Sequence, residues 1–508
     1  MHRCLSIPEI LSAVFLNFQT TEARSAGHEA LATLARTCTT FQSPALALLW
    51  RAQETMLNII LCMPPDLISV DTSTSLPTVR LLRPATASDW DRVLLYAPLV
   101  RQLWSKGQDL SLASIFLALN LSMPTNCLFP NLTRLGWVKS TDFRYIGFLL
   151  APRLEHIFII CPPPDINLSF LAALPYRCPL LQLLYISGQH VPDAICGFLD
   201  GLPNLTHLEV TLADMRSLIR IGRLPRLRRL FLRLSRSVAI PATLPEDLFL
   251  NLEHMTLYDI DCRTATRLVP VLVHAKLKGI RIHLPGSQTT SVVNDLLKSL
   301  VDRSCLETSS SNSFRFDHPE APIPAQSALC AIDTHSLRLH CRLTEVAIVS
   351  DAFSLHDCCL SEIARSWTRI RKLELITSSP NKKPVTTLSG LLALARHCRA
   401  LKTLRLSLDT SSIPQAASTS DVVPQICLIS IDVGFSALYD ALNFARFISG
   451  IFPNLKSVLT YQDDKLTYRV NQADEAWHAA HHQRWKEAEA HIPMFVAVRE
   501  EGRLLAQR

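Results

Sequence analysis

Glycine is scarce in this sequence, and the motifs of common nucleotide-binding and hydrolytic sites are absent. Only 14 of the 508 residues are glycine, and none of the patterns GxGxxG, GxxxxGK(S/T), GxSxG or HExxH occurs. These patterns supply phosphate-binding loops, the exposed nucleophilic serine of many hydrolases and the zinc ligands of metallopeptidases. We therefore predict no catalytic residues, no cofactor and no enzyme activity.

The sequence also lacks paired cysteines, long apolar runs and a strong charge bias. Its 15 cysteines include no CxxC pair, which is typical of a reducing compartment, so we expect a cytoplasmic or nuclear protein. No apolar run approaches the length of a membrane span, and residues 1–20 do not resemble a secretory signal. The 51 basic and 44 acidic residues leave a net charge of +7, too weak a bias to predict a nucleic-acid partner.

Two groups of potential metal ligands lack a suitable spacing. His356, Asp357, Cys358 and Cys359 are adjacent, so they cannot easily all reach one ion, whereas structural zinc favours CxxC-like pairs. His478 and His482 lie four residues apart on a predicted helix, but no third ligand is evident. We predict no metal site, a loop beside a buried cysteine for the first group, and solvent-facing histidines for the second.

Three apolar stripes in the first fifty residues predict three short helices. Ser6, Pro8 and Glu9 fit a capping box at the start of the first helix, and Ser43-Pro44 should begin the third. The stripes are Ile10, Leu11, Val14, Phe15 and Phe18, then Ala30, Leu31, Leu34, Ala35 and Cys38, and finally Leu46, Leu49 and Trp50. So few residues form only a small core, and we expect the module to pack on a partner or on an adjoining domain.

This segment resembles an F-box. The matching residues are Leu5, Ile7, Pro8, Glu9, Ile10, Leu11, Val14, Phe15, Leu31, Leu34, Ala35, Cys38, Phe41, Pro44, Ala45, Leu46, Leu49 and Trp50. The resemblance implies an all-α module that docks on the Skp-type adaptor of a cullin–RING ubiquitin ligase. The adaptor contacts that it implies are Leu5, Pro8, Ile10, Leu11, Phe15, Leu46 and Trp50. A second interpretation stays open, in which the module packs only on its own chain as an N-terminal cap.

A triplet of apolar residues recurs through most of the chain. Its three members are separated by two variable residues and then by one. The twelve triplets are Leu132/Leu135/Trp137, Leu154/Ile157/Ile159, Leu181/Leu184/Ile186, Leu205/Leu208/Val210, Leu227/Leu230/Leu232, Leu252/Met255/Leu257, Leu277/Ile280/Ile282, Leu343/Val346/Ile348, Ile370/Leu373/Leu375, Leu401/Leu404/Leu406, Leu428/Ile431/Val433 and Leu455/Val458/Thr460. Most begin 22 to 31 residues after the previous one, which is the period of leucine-rich repeats. Because side chains alternate along a strand, the triplets should point into a shared core.

The two patterns predict an α/β protein with a small all-α F-box-like module followed by a leucine-rich-repeat solenoid. We expect a horseshoe with parallel strands on the concave face and helices on the convex face. The predicted boundaries are 1–58 for the F-box-like three-helix module, 59–85 for a linker, 86–128 for a helical N-terminal cap, 129–462 for the solenoid and 463–508 for a C-terminal helical cap and tail. Within the solenoid we expect an exposed insertion near 304–335 and a loop at 409–424. A degenerate repeat near 311–316 is the alternative to part of the insertion.

Helices should close both ends of the solenoid. The first starts at Asp89-Trp90 and should extend to Leu103. The second covers residues 471–490, with Trp477, His481 and Trp485 on one face, and an extended segment should follow from His491. With these ends, almost the whole chain resembles the F-box and leucine-rich-repeat proteins that are expanded in mushroom-forming, basidiomycete-type fungi.

Residues between the triplet positions should form the partner-binding surface. The candidate substrate-binding residues are Tyr185, Arg229, Phe231, Arg233, Arg281, Lys372 and Arg405. Eight arginines fall within residues 216–236, and guanidinium groups bind phosphates and carboxylates in a bidentate manner. We hypothesise that this surface binds an acidic or phosphorylated protein segment. The alternative is a solvated face whose arginine stems cover apolar surface.

The sequence favours a non-catalytic substrate-recognition subunit of an SCF-type cullin–RING E3 ubiquitin ligase. Its partners would be a Skp-type adaptor, a cullin scaffold and an unidentified protein substrate. One alternative is an adaptor-independent leucine-rich-repeat scaffold for protein–protein interaction. Another is a binder of a phosphate polymer or RNA that uses the arginines of residues 216–236.

Overall fold

The computed structural model divides the chain into two compact units, Met1–Arg228 and Arg229–Arg508. The residues that it describes are 7–19, 24–71, 78–106, 113–138, 143–160, 168–187, 193–212, 215–234, 245, 247–258, 260–275, 277–283, 295–296, 299, 312–318, 343–350, 355–376, 383–414, 423–463 and 475–506. Both units combine parallel strands with helices in the connections, so the predicted α/β class is correct.

The first unit begins with helices and continues as a parallel sheet. Its helices are α1 (Pro8–Leu16), α2 (Arg24–Thr37), α3 (Thr39–Arg51), α4 (Leu57–Ile60), α5 (Asp91–Tyr96), α6 (Ala113–Ser122), α7 (Leu174–Arg177) and α8 (Met215–Gly222). Its strands are β1 (Ala52–Gln53), β2 (Ile68–Asp71), β3 (Thr78–Leu81), β4 (Gln102–Lys106), β5 (Arg134–Val138), β6 (His156–Ile160), β7 (Leu183–Ser187) and β8 (His207–Leu212). The order in the parallel sheet is β1-β4-β5-β6-β7-β8, and β2 and β3 form a separate antiparallel pair.

The second unit continues the same alternation and ends in one long helix. Its strands are β9 (Arg229–Leu234), β10 (His254–Tyr258), β11 (Gly279–His283), β12 (Asn312–His318), β13 (Leu343–Ser350), β14 (Lys372–Ile376), β15 (Thr403–Leu406), β16 (Ser430–Asp432) and β17 (Ser457–Leu459). They pair in parallel in chain order. The helices are α9 (Cys262–Leu268), α10 (Asp357–Ser366), α11 (Leu388–His397), α12 (Ala441–Ile451) and α13 (Glu475–Ala506).

The triplet residues form the core, as the sequence predicts. Every member of the twelve triplets is buried, and the most exposed, Leu455, shows 5% of its surface. Equivalent positions also pair directly: Leu135 lies beside Ile157, and Leu373 lies beside Leu404. Each strand therefore adds its apolar residues to those of the strand before it, and burial of this surface is the main force that stabilises the stack.

The Pro-Asn-Leu-Thr segments contain polar side chains that join successive strands and connections. Asn131 donates from Nδ2 to the Pro98 carbonyl, and Thr133 donates from Oγ1 to the Arg101 carbonyl. Asn204, three triplets further along the chain, donates in the same way to the Pro179 carbonyl at 3.1 Å. These bonds satisfy carbonyl groups at the turns before the strands, which explains why Pro-Asn precedes several triplets.

Two boundaries in the first unit differ from the prediction. The proposed linker at 59–85 contains the β2–β3 pair, because the alternation of β-branched residues buries Ile68 and Val79. The helix predicted from Asp89 to Leu103 ends at Tyr96, where Pro98 follows in a short 3-10 segment, and Leu103 lies in β4.

The third predicted helix also starts earlier than its Ser-Pro signal. It begins at Thr39 rather than at Ser43, and Pro44 lies inside it. The first turn forms because the amides of Phe41 and Gln42 both donate to the Cys38 carbonyl at 3.1 Å. The capping box predicted at Ser6 involves a residue outside the described part of the chain.

Two predictions in the second unit need correction. Part of the expected insertion at 304–335 is strand β12, which pairs with β11 and β13, so the alternative of a degenerate repeat describes residues 312–318 better. The segment expected to be extended from His491 continues α13 as far as Ala506. The helix continues past Pro493 because Ile492 is buried on the same face as Trp485, and Arg499 donates to the Ser449 hydroxyl at 2.5 Å.

Candidate protein-interaction surfaces

Helices α1, α2 and α3 form a small module with its own filled core. Its buried centre is Leu11, Phe15, Leu31, Ala45 and Leu48. The Phe15 ring meets Phe41 edge-on, with ring centroids 5.6 Å apart. Leu11 and Phe15, two of the predicted adaptor contacts, are only 1% and 4% exposed, so in this structure neither is accessible for direct contact with a partner. Their spacing of four residues places both on the side of α1 that faces the module core.

Exposed apolar residues lie next to the buried side of α1. Ile7, Ile10 and Val14 are 43%, 39% and 46% exposed, and their spacing of three and four residues places them on one side of the helix. We call these three residues the α1 strip. Ile10 was among the predicted adaptor contacts, whereas Ile7 and Val14 were missed. The helical period alone does not separate them from the core residues, because Ile7 is four residues and Val14 three residues from Leu11.

The other predicted adaptor contacts lie in different environments. Pro8 is exposed at the start of α1, and Leu46 is half-buried on α3. Trp50 is also half-buried, and its ring stacks on Tyr96 with centroids 4.9 Å apart and an angle of 15°. Leu5 lies outside the described residues. The structure thus leaves Pro8, Ile10 and part of Leu46 accessible, and it gives Trp50 a partner within the chain.

In the second unit, β9, β10 and β11 present a basic and aromatic surface. Its side chains belong to Arg229, Phe231, Arg233, His254, Thr256, Tyr258, Arg281 and His283, which alternate with the triplet residues, although Thr256 is only 4% exposed. We call these eight residues the basic-aromatic face. None of them is acidic, and neighbouring strands bring equivalent positions about 4.8 Å apart. The face therefore concentrates positive charge around rings.

The contacts on the basic-aromatic face fix several of its rings. The Arg233 guanidinium carbon lies 5.6 Å from the centre of the Tyr258 ring, within reach of a cation–π interaction. Tyr258 in turn stacks on His283, with centroids 4.5 Å apart. Arg229 and Arg281 are exposed, and within the described part of the chain neither has a carboxylate partner. Burial, and then the charge of Arg229, lowers the pKa of His254.

Three predicted substrate-binding residues do not belong to this face. Lys372 pairs with Glu374 at 2.7 Å, and the Arg405 guanidinium lies 2.5 Å from an Asp432 carboxylate oxygen. Both charges are therefore already balanced by carboxylates of the same sheet. Tyr185 lies in the first unit, where its ring is 6.0 Å from that of Phe158. The structure brings together Arg229, Phe231, Arg233 and Arg281 of the original set.

Some arginines of residues 216–236 also have structural partners. Arg220 forms an ion pair with Asp200 at 3.1 Å, and Arg226 donates to the Asn204 side-chain oxygen at 2.8 Å. These contacts join successive connections in the first unit. The cluster seen in the sequence is therefore not one continuous anion-binding patch.

The groups considered as metal ligands have other environments. His356, Asp357, Cys358 and Cys359 lie at the start of helix α10 rather than in a loop, and Cys358 is exposed. The Asp357 carboxylate accepts from the Thr387 amide at 2.8 Å and from the Thr387 hydroxyl at 2.6 Å. Among the described residues, no three or more His, Cys, Asp or Glu side chains come together as metal ligands.

The histidines of α13 face the unit rather than solvent, which contradicts the prediction. His478 is 4% exposed and packs between Phe435 and Tyr461. His482 shares a hydrogen bond with the Thr460 hydroxyl at 2.8 Å. The predicted face of this helix was correct for His481 and Trp485, which are 7% and 0% exposed, and wrong for Trp477, which is 48% exposed.

The buried thiols are unsuited to nucleophilic chemistry. Burial raises the pKa of Cys178, Cys262 and Cys398 to about 12. These side chains stay protonated at neutral pH, whereas the thiolate is the nucleophile and the metal ligand. They act as small apolar core residues.

Comparisons with known proteins add no assignment: no family model and no curated protein matches the chain. No helix in the described part of the chain is both long and apolar enough to cross a bilayer.

Proposed function

We propose that this chain is the substrate-recognition subunit of an SCF-type cullin–RING ubiquitin ligase and performs no bond chemistry itself. The observation that carries the proposal is the α1 strip. Its three apolar residues are exposed although the module already has a filled core, and they lie on the helix with which the resembled F-box family binds its adaptor. A contiguous exposed apolar surface marks an interaction site.

The repeated strands support the second half of this proposal. We propose that they are leucine-rich repeats of a horseshoe-shaped solenoid, because the buried triplets, the repeat length and the parallel pairing have the character of that architecture. Together with the helical module, they make the chain similar to fungal F-box proteins. In such a subunit the repeats would hold a substrate near the ubiquitin-charged enzyme and so raise its effective concentration.

The basic-aromatic face is the proposed substrate site. Arg229 and Arg281 are exposed and available for bidentate hydrogen bonds, while Phe231 and Tyr258 offer apolar contact area beside them. An acidic or phosphorylated protein segment fits this combination of charge and rings. Lys372 and Arg405 are not part of the proposed site, because carboxylates of the chain already pair with them.

Co-expression with a Skp-type adaptor tests the first half of the proposal. The variants are Ile10→Asp and Val14→Asp, which place charge on the α1 strip and leave the core of the three-helix module unchanged. Tyr176→Asp is the control, because Tyr176 is 87% exposed and lies outside the three-helix module. We expect wild type and Tyr176→Asp to elute with the adaptor in a stoichiometric complex, and the two α1 variants to elute alone.

A folded wild-type chain that does not bind the adaptor would contradict the ligase proposal and favour an adaptor-independent scaffold. Leu11→Asp would not be informative, since Leu11 is in the module core and its replacement would disrupt the fold.

Peptide binding tests the second half. An immobilised phosphoserine peptide library and its unphosphorylated counterpart are probed with wild type, with Arg229→Glu combined with Arg281→Glu, and with Arg365→Glu combined with Arg396→Glu. Arg365 and Arg396 are exposed arginines of α10 and α11, and their double reversal serves as the charge-matched control. We expect retention on acidic or phosphorylated peptides by wild type and the control, with at least a tenfold loss in the double variant. Equal retention of all three proteins would exclude this face as the substrate site.

A further inference from the structure

A cavity of about 850 Å³ lies in the first unit between α2, α3, α4 and β4. None of its lining residues belongs to the α1 strip or to the basic-aromatic face. Trp50, which lines it, was one of the predicted adaptor contacts. Two tryptophans, Trp50 and Trp104, form part of its lining, and Glu29 and Glu54 also line it. The volume is in the range of small-molecule sites.

The two indole rings are held in place by the fold. Trp50 stacks on Tyr96 at 4.9 Å. Trp104 lies against Gly136, where an added Cβ would be 2.1 Å from the ring, and its centroid is 5.2 Å from that of Phe158. Both rings are half-buried and reach the cavity. Rings fixed in this way attract a cation by their quadrupoles and need little ordering when it binds.

The ionisable side chains of the lining include two carboxylates and the imidazole of His28. Glu29 and Glu54 line the cavity, and no lysine or arginine is among its lining residues. The Gln53 side chain, 6% exposed, forms part of the wall, with its amide donating to the Leu49 carbonyl at 3.1 Å and accepting from Asn58 at 2.9 Å. The wall therefore combines negative charge, aromatic rings and apolar surface.

We propose that this cavity binds an organic cation, a guanidinium or ammonium group on a short apolar stem. The rings and the Glu29 carboxylate would receive the charged head, and Ala32, Leu49 and Leu61 would contact the stem. The head can come from a free amine or guanidine, or from an arginine or lysine side chain of another protein. This proposal does not depend on the ubiquitin-ligase function.

Calorimetric titration of the full chain tests the proposal. The probes are butylguanidinium, its neutral analogue butylurea, and the capped tripeptides Gly-Arg-Gly and Gly-citrulline-Gly. We expect each cation to bind at least tenfold more tightly than its neutral analogue. Tighter binding of the arginine peptide than of butylguanidinium assigns the site to a protein side chain, and the reverse order assigns it to a free ligand.

Matched variants locate the binding. Glu29→Gln keeps the shape of the side chain and should weaken cation binding at least fivefold, whereas Glu9→Gln, an exposed residue of α1 that does not line the cavity, should leave binding unchanged. Equal affinity for cation and neutral analogue, no binding of either cation, or an unaltered affinity in Glu29→Gln would overturn the proposal.

Thiol labelling gives a second readout that does not rely on affinity. Cys62 lines the cavity, and Cys38 is also half-buried but does not line it. Saturating cation should slow methanethiosulfonate labelling of Cys62 and leave Cys38 unaffected. Labelling is done at mildly alkaline pH, because burial raises the pKa of the Cys62 thiol. Unchanged Cys62 labelling at saturation would contradict binding in this cavity.

Discussion

Gly136 leaves space that a tryptophan from the neighbouring strand occupies. It pairs with Trp104 across β4 and β5, and an added Cβ would lie 2.1 Å from the Trp104 ring. The nearest atoms belong to a rigid ring that also contacts Phe158. A methyl group therefore cannot be accommodated by a small rotation of a flexible side chain.

We predict that Gly136→Ala lowers the free energy of unfolding by about 1–3 kcal/mol, the usual cost of overpacking. Urea denaturation followed by circular dichroism measures this change. Gly147→Ala is the control, since nothing lies within 4 Å of its added Cβ. Equal stability of the two variants would mean that Trp104 does not fill this space.

The Arg405–Asp432 pair shows why an outward arginine need not be a binding residue. The guanidinium and carboxylate are 12% and 7% exposed, and the other Asp432 oxygen accepts from the Gly434 amide at 2.9 Å. We predict that Arg405→Met costs about 3–5 kcal/mol, because it leaves a buried carboxylate without this partner.

A double-mutant cycle with Asp432→Asn tests this account, since asparagine keeps an acceptor for Gly434. The double variant should be more stable than the sum of the two single changes predicts. Additive free energies from urea denaturation would mean that the two side chains do not interact.

Strands were predictable as elements, whereas helix ends and partners were not. The triplets mark strands because a stacked sheet needs apolar residues at fixed positions, so Leu373 and Leu404 reveal their strands without any structure. The same alternation correctly placed Arg229 and Arg281 outward. The partner of Arg405 could not be read in this way, since Asp432 is 27 residues away and only strand register brings the two together.

Helix α13 illustrates the limit for helices. Its amphipathic pattern was visible, but its buried face was assigned to Trp477, His481 and Trp485 together. In the structure Trp485 is fully buried and donates to the Ser436 carbonyl at 2.8 Å, whereas Trp477 is 48% exposed. Tryptophan is found both in cores and partly exposed at surfaces, so the residue type alone does not show which side of the helix faces the core.

We predict that Trp485→Ala destabilises the protein by about 3–5 kcal/mol, the usual cost of truncating a buried aromatic side chain. The change removes the edge-on contact with Phe444 and the bond to Ser436. Trp477→Ala, on the same helix, should cost less than about 1 kcal/mol. Urea denaturation compares the two, and equal losses would contradict the packing of α13.

At the scale of the whole molecule, half-buried or buried histidines recur in both units. Burial lowers the pKa of His156 in the first unit, and of His254, His397 and His481 in the second. His481 is 7% exposed, and its Nδ1 lies 3.1 Å from the Leu438 amide nitrogen. Each of these residues therefore favours its neutral form in the folded protein.

The sign of the resulting pH dependence follows from comparison with the unfolded chain. An unfolded histidine has a pKa of about 6.5 and takes up its proton first as the pH falls. The unfolded state then binds more protons than the folded state. We predict that the free energy of unfolding is constant from about pH 8 to 7.5 and decreases as the pH falls through about 6.5. The lowered pKa values of Asp66, Asp89 and Asp440 add a further loss only below about pH 4.

Urea denaturation at pH 8.0, 7.0, 6.0 and 5.5 measures this dependence at constant ionic strength. His481→Gln removes one titrating group and keeps a hydrogen-bonding side chain, so its stability should fall less steeply between pH 7.0 and 5.5 than that of wild type. His28→Gln, which replaces an exposed histidine, is the comparison variant. A wild-type protein that is as stable at pH 5.5 as at pH 7.0 would show that these histidines can be protonated without loss of packing.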